Sequence, residues 1–482
     1  MSFAKYLVKK PVAQIQADSQ KGELKRTLSA ANLTSLGVGA IIGAGIFVMT
    51  GQAAAQHAGP AIILSFVLAG LCCAFAALCY AELAAMLPVS GSAYSYAYAS
   101  LGELFAWIMG WLLLLEYGIA ASTVAVGWSG YIVSFLKDFG IIISPIWAAA
   151  PGLPVTLEDG TAAVGVFNVP AFLGSLLIAA LLVIGVKESA TVNNIIVVIK
   201  VSVIVLFVAV GLFYVNADNW TPFIPEPTGK PGEFGYDGIL RAAGMIFFAY
   251  VGFEAVSTAA QEAKNPQRDM PIGIIGSLTI CTILYMLVAL VLTGIVPYTM
   301  LNVPDPIAVG VDAIGLGWLA FIVKIGAITG LFSVILVLLY GQTRIFYTMS
   351  KDGLLPAAFS KVHPKFQTPY VNTIVVGVVV AVVAGMTPIS KLGALVSMGT
   401  LLAFSIICFS VLYLRKTQPD LHRPFKVPFS PVIPILGILC CGYLMWGLRD
   451  VFWTLKFYFL AGLVIYFAYG QFHSKLRNPE KR

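Results

Sequence analysis

Twelve apolar stretches of roughly membrane-crossing length dominate this chain. They run Ala31 to Gln56, Ala61 to Leu87, Leu104 to Phe135, Pro170 to Val186, Thr191 to Tyr214, Gly238 to Ala260, Ile272 to Val296, Leu316 to Thr343, Val371 to Met386, Leu392 to Leu414, Val432 to Leu448 and Val451 to Tyr469. A helix rises about 1.5 Å per residue, so about 20 apolar residues cross the roughly 30 Å hydrocarbon core of a bilayer. Inside that core every backbone N–H and C=O must be satisfied within the protein, which leaves helices as the economical solution for runs of this length. The expected fold class is therefore an all-α polytopic membrane protein of twelve spans joined by short loops.

Composition agrees. Of the 482 residues 59% are hydrophobic and only 11% charged, against about 25% charged in soluble domains. The net charge of +7 could suggest nucleic acid, but its distribution points elsewhere. With the amino terminus inside, 21 Lys and Arg residues fall on inner segments, among them Lys187, Lys264, Arg268, Arg344 and Arg415, and 5 on outer ones. This bias is a topology signal, placing both termini in the cytoplasm of a cell with the chain in its plasma membrane, and no nucleic-acid partner is expected. The seven cysteines lie in apolar runs without metal-ligand spacing and the four histidines are scattered, so no metal site or redox cofactor is expected. A membrane enzyme would require a nucleophile-base pair or metal cluster at one depth, and none is legible.

Two spans depart from smooth apolar helices. The first carries Gly39, Gly43 and Gly45 in Gly39-Ala-Ile-Ile-Gly-Ala-Gly-Ile-Phe47, and the sixth carries Gly252 beside a carboxylate in Phe248-Ala-Tyr-Val-Gly-Phe-Glu254. Any one of these glycines is explained by close helix packing. Interruptions at corresponding positions of two five-span halves instead point to a transporter site between inverted repeats. A break near Gly43 leaves the amides of Ala44, Gly45 and Ile46 at the positive start of an outer half-helix, suited to a carboxylate. The carbonyls of Ile41, Phe248, Ala249 and Val251 then suit an ammonium, so the two breaks together can read the zwitterionic part of an L-amino acid. Phe248 and Phe253 are candidate walls or gates.

Ionisable residues inside the spans are the other signal. Glu116, about twelve residues into the third span, and Lys200, deep in the fifth, are costly in lipid and by default functional. Both are expected to act in proton coupling, with Lys200 able to stand in for a bound sodium ion. Glu254 follows the break in span six and is expected to cap the inner half-helix, gate it or relay a proton. Glu82 and Arg241 read as interfacial anchors or gate partners, Lys324 as a residue snorkelling to the outer interface, and Ser333 as a hydroxyl opposite the first break.

These motifs resemble the amino acid-polyamine-organocation superfamily, most nearly its cationic amino acid transporter branch. The resemblance rests on Gly39 through Phe47, Tyr80-Ala-Glu82, Pro88-Val-Ser-Gly-Ser-Ala-Tyr94, Gly185-Val-Lys-Glu-Ser189, Phe248 through Glu254 and on to Arg268, and Arg344 through Leu355. It implies a LeuT-type fold: a cytoplasmic tail over 1–30, inverted repeats over 31–215 and 216–415, two extra spans over 416–470 and a second tail over 471–482. It further implies alternating access with backbone contacts at Ile41, Ala44, Gly45, Ile46, Phe248 and Val251. Proton-coupled relatives carry a lysine where Lys200 stands, whereas animal members of the cationic branch lack it and have a small hydroxyl residue in place of Glu116. The expectation is proton symport of L-amino acids, cationic ones such as arginine or lysine and also small neutral ones. An exchanger without net proton flux or a non-transporting amino acid receptor are the alternatives. A small membrane partner of unknown identity is compatible with it.

Overall fold

The computed structural model describes residues 7–11, 26–89, 92–157, 159–185 and 190–477. Ser90, Gly91, residues 186–189 with Lys187, and the tail residues Lys5, Lys21, Lys25, Lys481 and Arg482 lie outside them. Among the described residues the helices fall into twelve spans, some of them shorter than the length that crosses a bilayer unaided. Span 1 is Ala30–Ile41 followed after a break by Gly45–Met49, Thr50–Ala53 and Ala54–Ala58, and span 2 is Ile62–Met86. Span 3 is Glu103–Leu114 continued through a π-helical turn, Leu115–Ile119, into Ala120–Asp138. Spans 4 and 5 are Val169–Ile184 and Ala190–Gly211. Span 6 is Gly235–Ile246, a 3-10 turn Phe247–Tyr250, and a second 3-10 segment Phe253–Glu262. Spans 7 to 12 are Pro266–Ile295, Gly317–Lys351, Tyr370–Met386, Ile389–Thr417, Val432–Gly447 and Phe452–Ile465 with its extension Tyr466–Gly470.

Spans 2, 3 and 4 pack against spans 7, 8 and 9 respectively, the pairing that a pseudo-two-fold axis between halves produces. Span 6 is almost wholly buried by the rest of the protein, while span 12 is peripheral and mostly exposed. The exposed side chains of the outer helices are mostly apolar, Leu, Ile, Val, Phe and Trp among them, as lipid-facing surfaces require. Between spans 2 and 3 lies a short buried helix, Ser92–Ser100. Between spans 3 and 4 a hairpin pairs Pro154–Thr156 with Ala162–Val164. Neither is legible as apolar periodicity, because both are short and polar.

The charged residues near span ends resolve into ion pairs. Glu82 is 1% exposed and holds Arg415 through Nε at 3.0 Å and Nη2 at 2.5 Å, with Arg423 at 3.5 Å and the Val427 N–H at 2.7 Å. This ties the end of span 2 to the segment between spans 10 and 11. Arg241 donates to Asp450 and to the Gly447 carbonyl. Lys324 does not snorkel to water: it is 1% exposed and its ammonium bonds Asp138 at 2.8 Å and Asp312 at 3.3 Å. Two acidic groups at neighbouring helix ends replace the hydration that snorkelling would have supplied.

Candidate functional site

Both glycine-rich spans are interrupted, and the interruptions meet. Helical bonding in span 1 ends at Ile42, whose N–H still reaches the Val38 carbonyl at 2.9 Å, and resumes with Phe47 N–H to Gly43 at 3.3 Å. Ala44, Gly45 and Ile46 therefore supply first-turn amides that have no intrahelical acceptor. In span 6 the helix tightens to 3-10 geometry at Phe247, then breaks at Val251-Gly252. Gly252 sits at φ +122°, and a Cβ there would lie 2.8 Å from the backbone of Ala40. Gly45 approaches Ala249 so closely that a Cβ would lie 2.2 Å from its Cα. Only glycine lets these two backbones touch.

The expected site residues accordingly come together in one buried place. Ile41, Ala44 and Ile46 are 2%, 1% and 0% exposed, and Phe248, Ala249 and Val251 are 5%, 1% and 6%. Some of the freed backbone groups already have partners. The Ile41 carbonyl accepts the Tyr285 hydroxyl at 2.7 Å, the Phe248 N–H donates to Ser397 Oγ at 2.9 Å, and the Phe248 carbonyl closes a turn with the Val251 N–H at 3.1 Å. Further out, Tyr131 of span 3 donates to the Phe47 carbonyl at 2.7 Å. Tyr285, Ser397 and Tyr131 support the breaks and were not legible in the sequence beyond being hydroxyl-bearing residues in apolar surroundings. Val334, rather than Ser333, lies against Gly43.

Lys200 and Glu116 occupy two different parts of this region. The Lys200 ammonium, 1% exposed, donates to the carbonyls of Gly39 at 3.0 Å and Ile42 at 3.2 Å, with its methylene stem passing Gly330 of span 8. These carbonyls are acceptors that the break releases, and a cation is what they can hold. Glu116 lies in the π-helical turn of span 3, where the extra residue per turn shifts the side chains around the helix. Both of its oxygens are buried, and the group they face is the Glu254 carboxyl. Its nearest charged neighbour is Glu254, with which it interacts electrostatically, and the phenols of Tyr80 and Tyr117 surround the pair.

Glu254 itself caps the break. Its two carboxyl oxygens accept the Gly252 N–H at 3.1 and 2.9 Å. Phe253 is fully buried and packs edge-on to Tyr80, with ring centroids 5.8 Å apart, and against Phe404 at 5.1 Å. It thus closes the space between spans 2, 6 and 10 next to the carboxyl pair.

Twelve spans with two helices broken at matched positions and in contact define a polytopic transporter of the broken-helix class. Comparison with known proteins places it more closely: the family model described as amino acid permease matches residues 28–466, and the chain belongs to that family, within the amino acid-polyamine-organocation superfamily. It is 49% identical over 469 residues to the branched-chain amino acid permease BcaP of Bacillus subtilis, covering 96% of this chain and 97% of that one. It is 48% identical over 469 residues to the methylthioribose transporter of the same organism, covering 97% and 98%. Cationic amino acid transporter 4, vacuolar, of Arabidopsis thaliana is 41% identical over 399 residues, 83% of this chain and 64% of that protein. The chain is a multi-pass membrane transporter of the amino acid permease family and not an enzyme.

Proposed function

We propose that this chain imports L-amino acids across a plasma membrane by proton symport, with both termini cytoplasmic and access alternating about the two breaks. The substrate carboxylate is read by the amides of Ala44, Gly45 and Ile46, and its ammonium by the carbonyls of Ile41, Ala249 and Val251 with the backbone at Gly43 and Gly252. The observation that carries the coupling is Lys200 on the Gly39 and Ile42 carbonyls, where an ammonium does the work of a bound inorganic cation. A lysine held in a dry site can release and regain its proton, and its departure frees two acceptors at the inner end of the first break. Glu116, buried against the Glu254 carboxyl, is the second group able to take up a proton as the inner half-helices move. Phe253 moves with Glu254 as a gate.

The apolar side chains at the breaks include Ile41, Ile46, Phe248, Val251 and Val334, a set that favours aliphatic neutral substrates. The likeness to a permease named for branched-chain amino acids supports the same reading. A second reading, transport of arginine or lysine, is favoured by the Glu116 carboxyl and by the relatives named as cationic amino acid transporters. Uptake of labelled leucine and arginine into proteoliposomes, with and without an inward proton gradient, decides between them. The gradient is expected to raise leucine uptake several-fold in the native protein and not in Lys200→Ala or Glu116→Gln. Uptake seen only against preloaded vesicles would make the chain an exchanger, and gradient-driven uptake unchanged in both variants would refute the coupling.

A further inference from the structure

At the basic end of the bundle, where spans 4, 8 and 9 meet, the surface opens into a pocket lined by Leu182 and Gly185 of span 4 and its end, Tyr340 and Arg344 of span 8, and Pro369 and Thr373 at the start of span 9. Arg344 is exposed and lies over the Tyr340 ring, 5.0 Å from its centroid, with no carboxylate within ion-pair distance among the described residues. Of the other arginines at this end, Arg415, Arg423 and Arg477 are paired with Glu82 or Glu103, while Arg26 and Arg268 are exposed as Arg344 is but do not line the pocket. Arg344 is the one of these whose charge stands in the pocket wall.

We propose that this pocket binds the phosphate of an anionic phospholipid, with Arg344 as its charge partner. The threonine hydroxyls in the wall cannot serve, since Thr343, Thr368 and Thr373 each already donate to a backbone carbonyl, at 2.8, 2.7 and 3.0 Å. The donors that remain are the Arg344 guanidinium, whose planar fork matches phosphate, and the first-turn amides of Val371 and Asn372 in span 9, a seventeen-residue helix that begins beside Pro369 of the pocket wall; the Tyr370 and Thr373 amides already donate to the Thr368 and Pro369 carbonyls. The adjoining segment 353–373 carries Lys361 and Lys365 and no acidic residue, so the surrounding field also favours an anion. The source is a lipid rather than a free phosphate because exposed apolar residues stand next to the pocket wall in both helices, Ile184 before Gly185 and Ile374 after Thr373. Leu177 and Ile184 of span 4 and Ile374 and Val378 of span 9 are about half exposed, a track along which acyl chains can run. Spans 4 and 9 pack directly on each other, so such a lipid bridges the two halves of the molecule.

Native mass spectrometry of the purified full-length protein, titrated with phosphatidylglycerol or phosphatidylcholine, tests this. The native protein is expected to retain phosphatidylglycerol in preference to phosphatidylcholine, with binding about tenfold weaker in Arg344→Gln and intermediate in Arg344→Lys. The melting temperature without added lipid serves as the folding control. Should Arg344→Gln not fold, Tyr340→Leu, which removes the ring beneath the guanidinium, is expected to weaken phosphatidylglycerol about threefold. Equal retention of phosphatidylglycerol by native protein and variants, or no preference over phosphatidylcholine, overturns the proposal. Millimolar inorganic phosphate or glycerol 3-phosphate is expected not to compete. Competition by either would make the pocket a site for soluble phosphate and overturn the lipid assignment.

Discussion

Replacing Gly45 by alanine tests whether the two broken spans touch as closely as described. The added Cβ would lie 2.2 Å from Ala249 Cα and 2.4 Å from its Cβ, against an optimal carbon separation of about 3.5–4.0 Å. Relief requires the two breaks to separate by on the order of 1 Å, and since the obstacle is backbone no side-chain rotation supplies it. Overpacking of this kind costs about 1–3 kcal/mol, and the upper end applies where the main chain must shift. A displacement on the order of 1 Å at a site that reads its ligand by backbone geometry is expected to lower uptake by about a hundredfold. Gly43→Ala is the internal control. Its Cβ would meet only the Val334 side chain, nearest at Cγ1, 3.3 Å away, which can give by a few tenths of an ångström, so less than about 1 kcal/mol and at most about a threefold change in uptake is expected. The two measurements are the melting temperature in detergent and initial uptake of labelled leucine into proteoliposomes. If Gly45→Ala melts and transports like the native protein, or if the two alanine variants are equally impaired, the close contact does not exist and the reasoning fails.

Glu82→Gln should be among the most destabilising single changes near a span end, losing about 3–5 kcal/mol in denaturant unfolding, because it leaves the charges of Arg415 and Arg423 without their shared partner; Arg415→Gln should cost less, since Arg423 remains. Tyr285→Phe removes the donor to the Ile41 carbonyl and should cost about 1 kcal/mol, read as a small fall in melting temperature. Asp305, in the segment between spans 7 and 8, has its carboxyl pushed up to about 6 by burial, with the Ser134 hydroxyl and the Lys324 ammonium pulling it down. The folded state therefore holds its proton when the unfolded chain has lost it, and stability contributed by the neutral form declines as pH rises from about 4 through about 6. The native protein should lose on the order of 1–3 kcal/mol across that window relative to Asp305→Asn, whose unfolding lacks this component; parallel pH profiles of the two would expose the error.

Much of the fold was legible because lipid imposes local rules. Runs such as Ile272 to Val296 declare themselves by length and apolarity, and the structure places helix over Pro266–Ile295. The breaks were equally legible, since glycine clusters and a neighbouring carboxylate mark where a span gives up its own hydrogen bonds. Less legible were the polar elements outside the membrane, the helix Ser92–Ser100 and the hairpin at Pro154–Thr156, where no solvent boundary enforces a pattern. Lys324 shows the limit most plainly: its depth suggested a side chain stretching to water, and two aspartates from other helix ends meet it instead.

Residue order alone thus established which segments cross the bilayer, where two of them are broken and which buried ionisable groups need compensation, because each is a cost borne by a residue and its immediate neighbours. What each group is compensated by was decided in three dimensions. Lys200 meets a carbonyl 161 positions away, the Ile41 carbonyl meets a hydroxyl 244 positions away, and Glu116 finds Glu254 rather than a cation. Such partners are chosen by how helices pack around one another, and desolvation, which makes a partner necessary, carries no information about which distant residue will supply it.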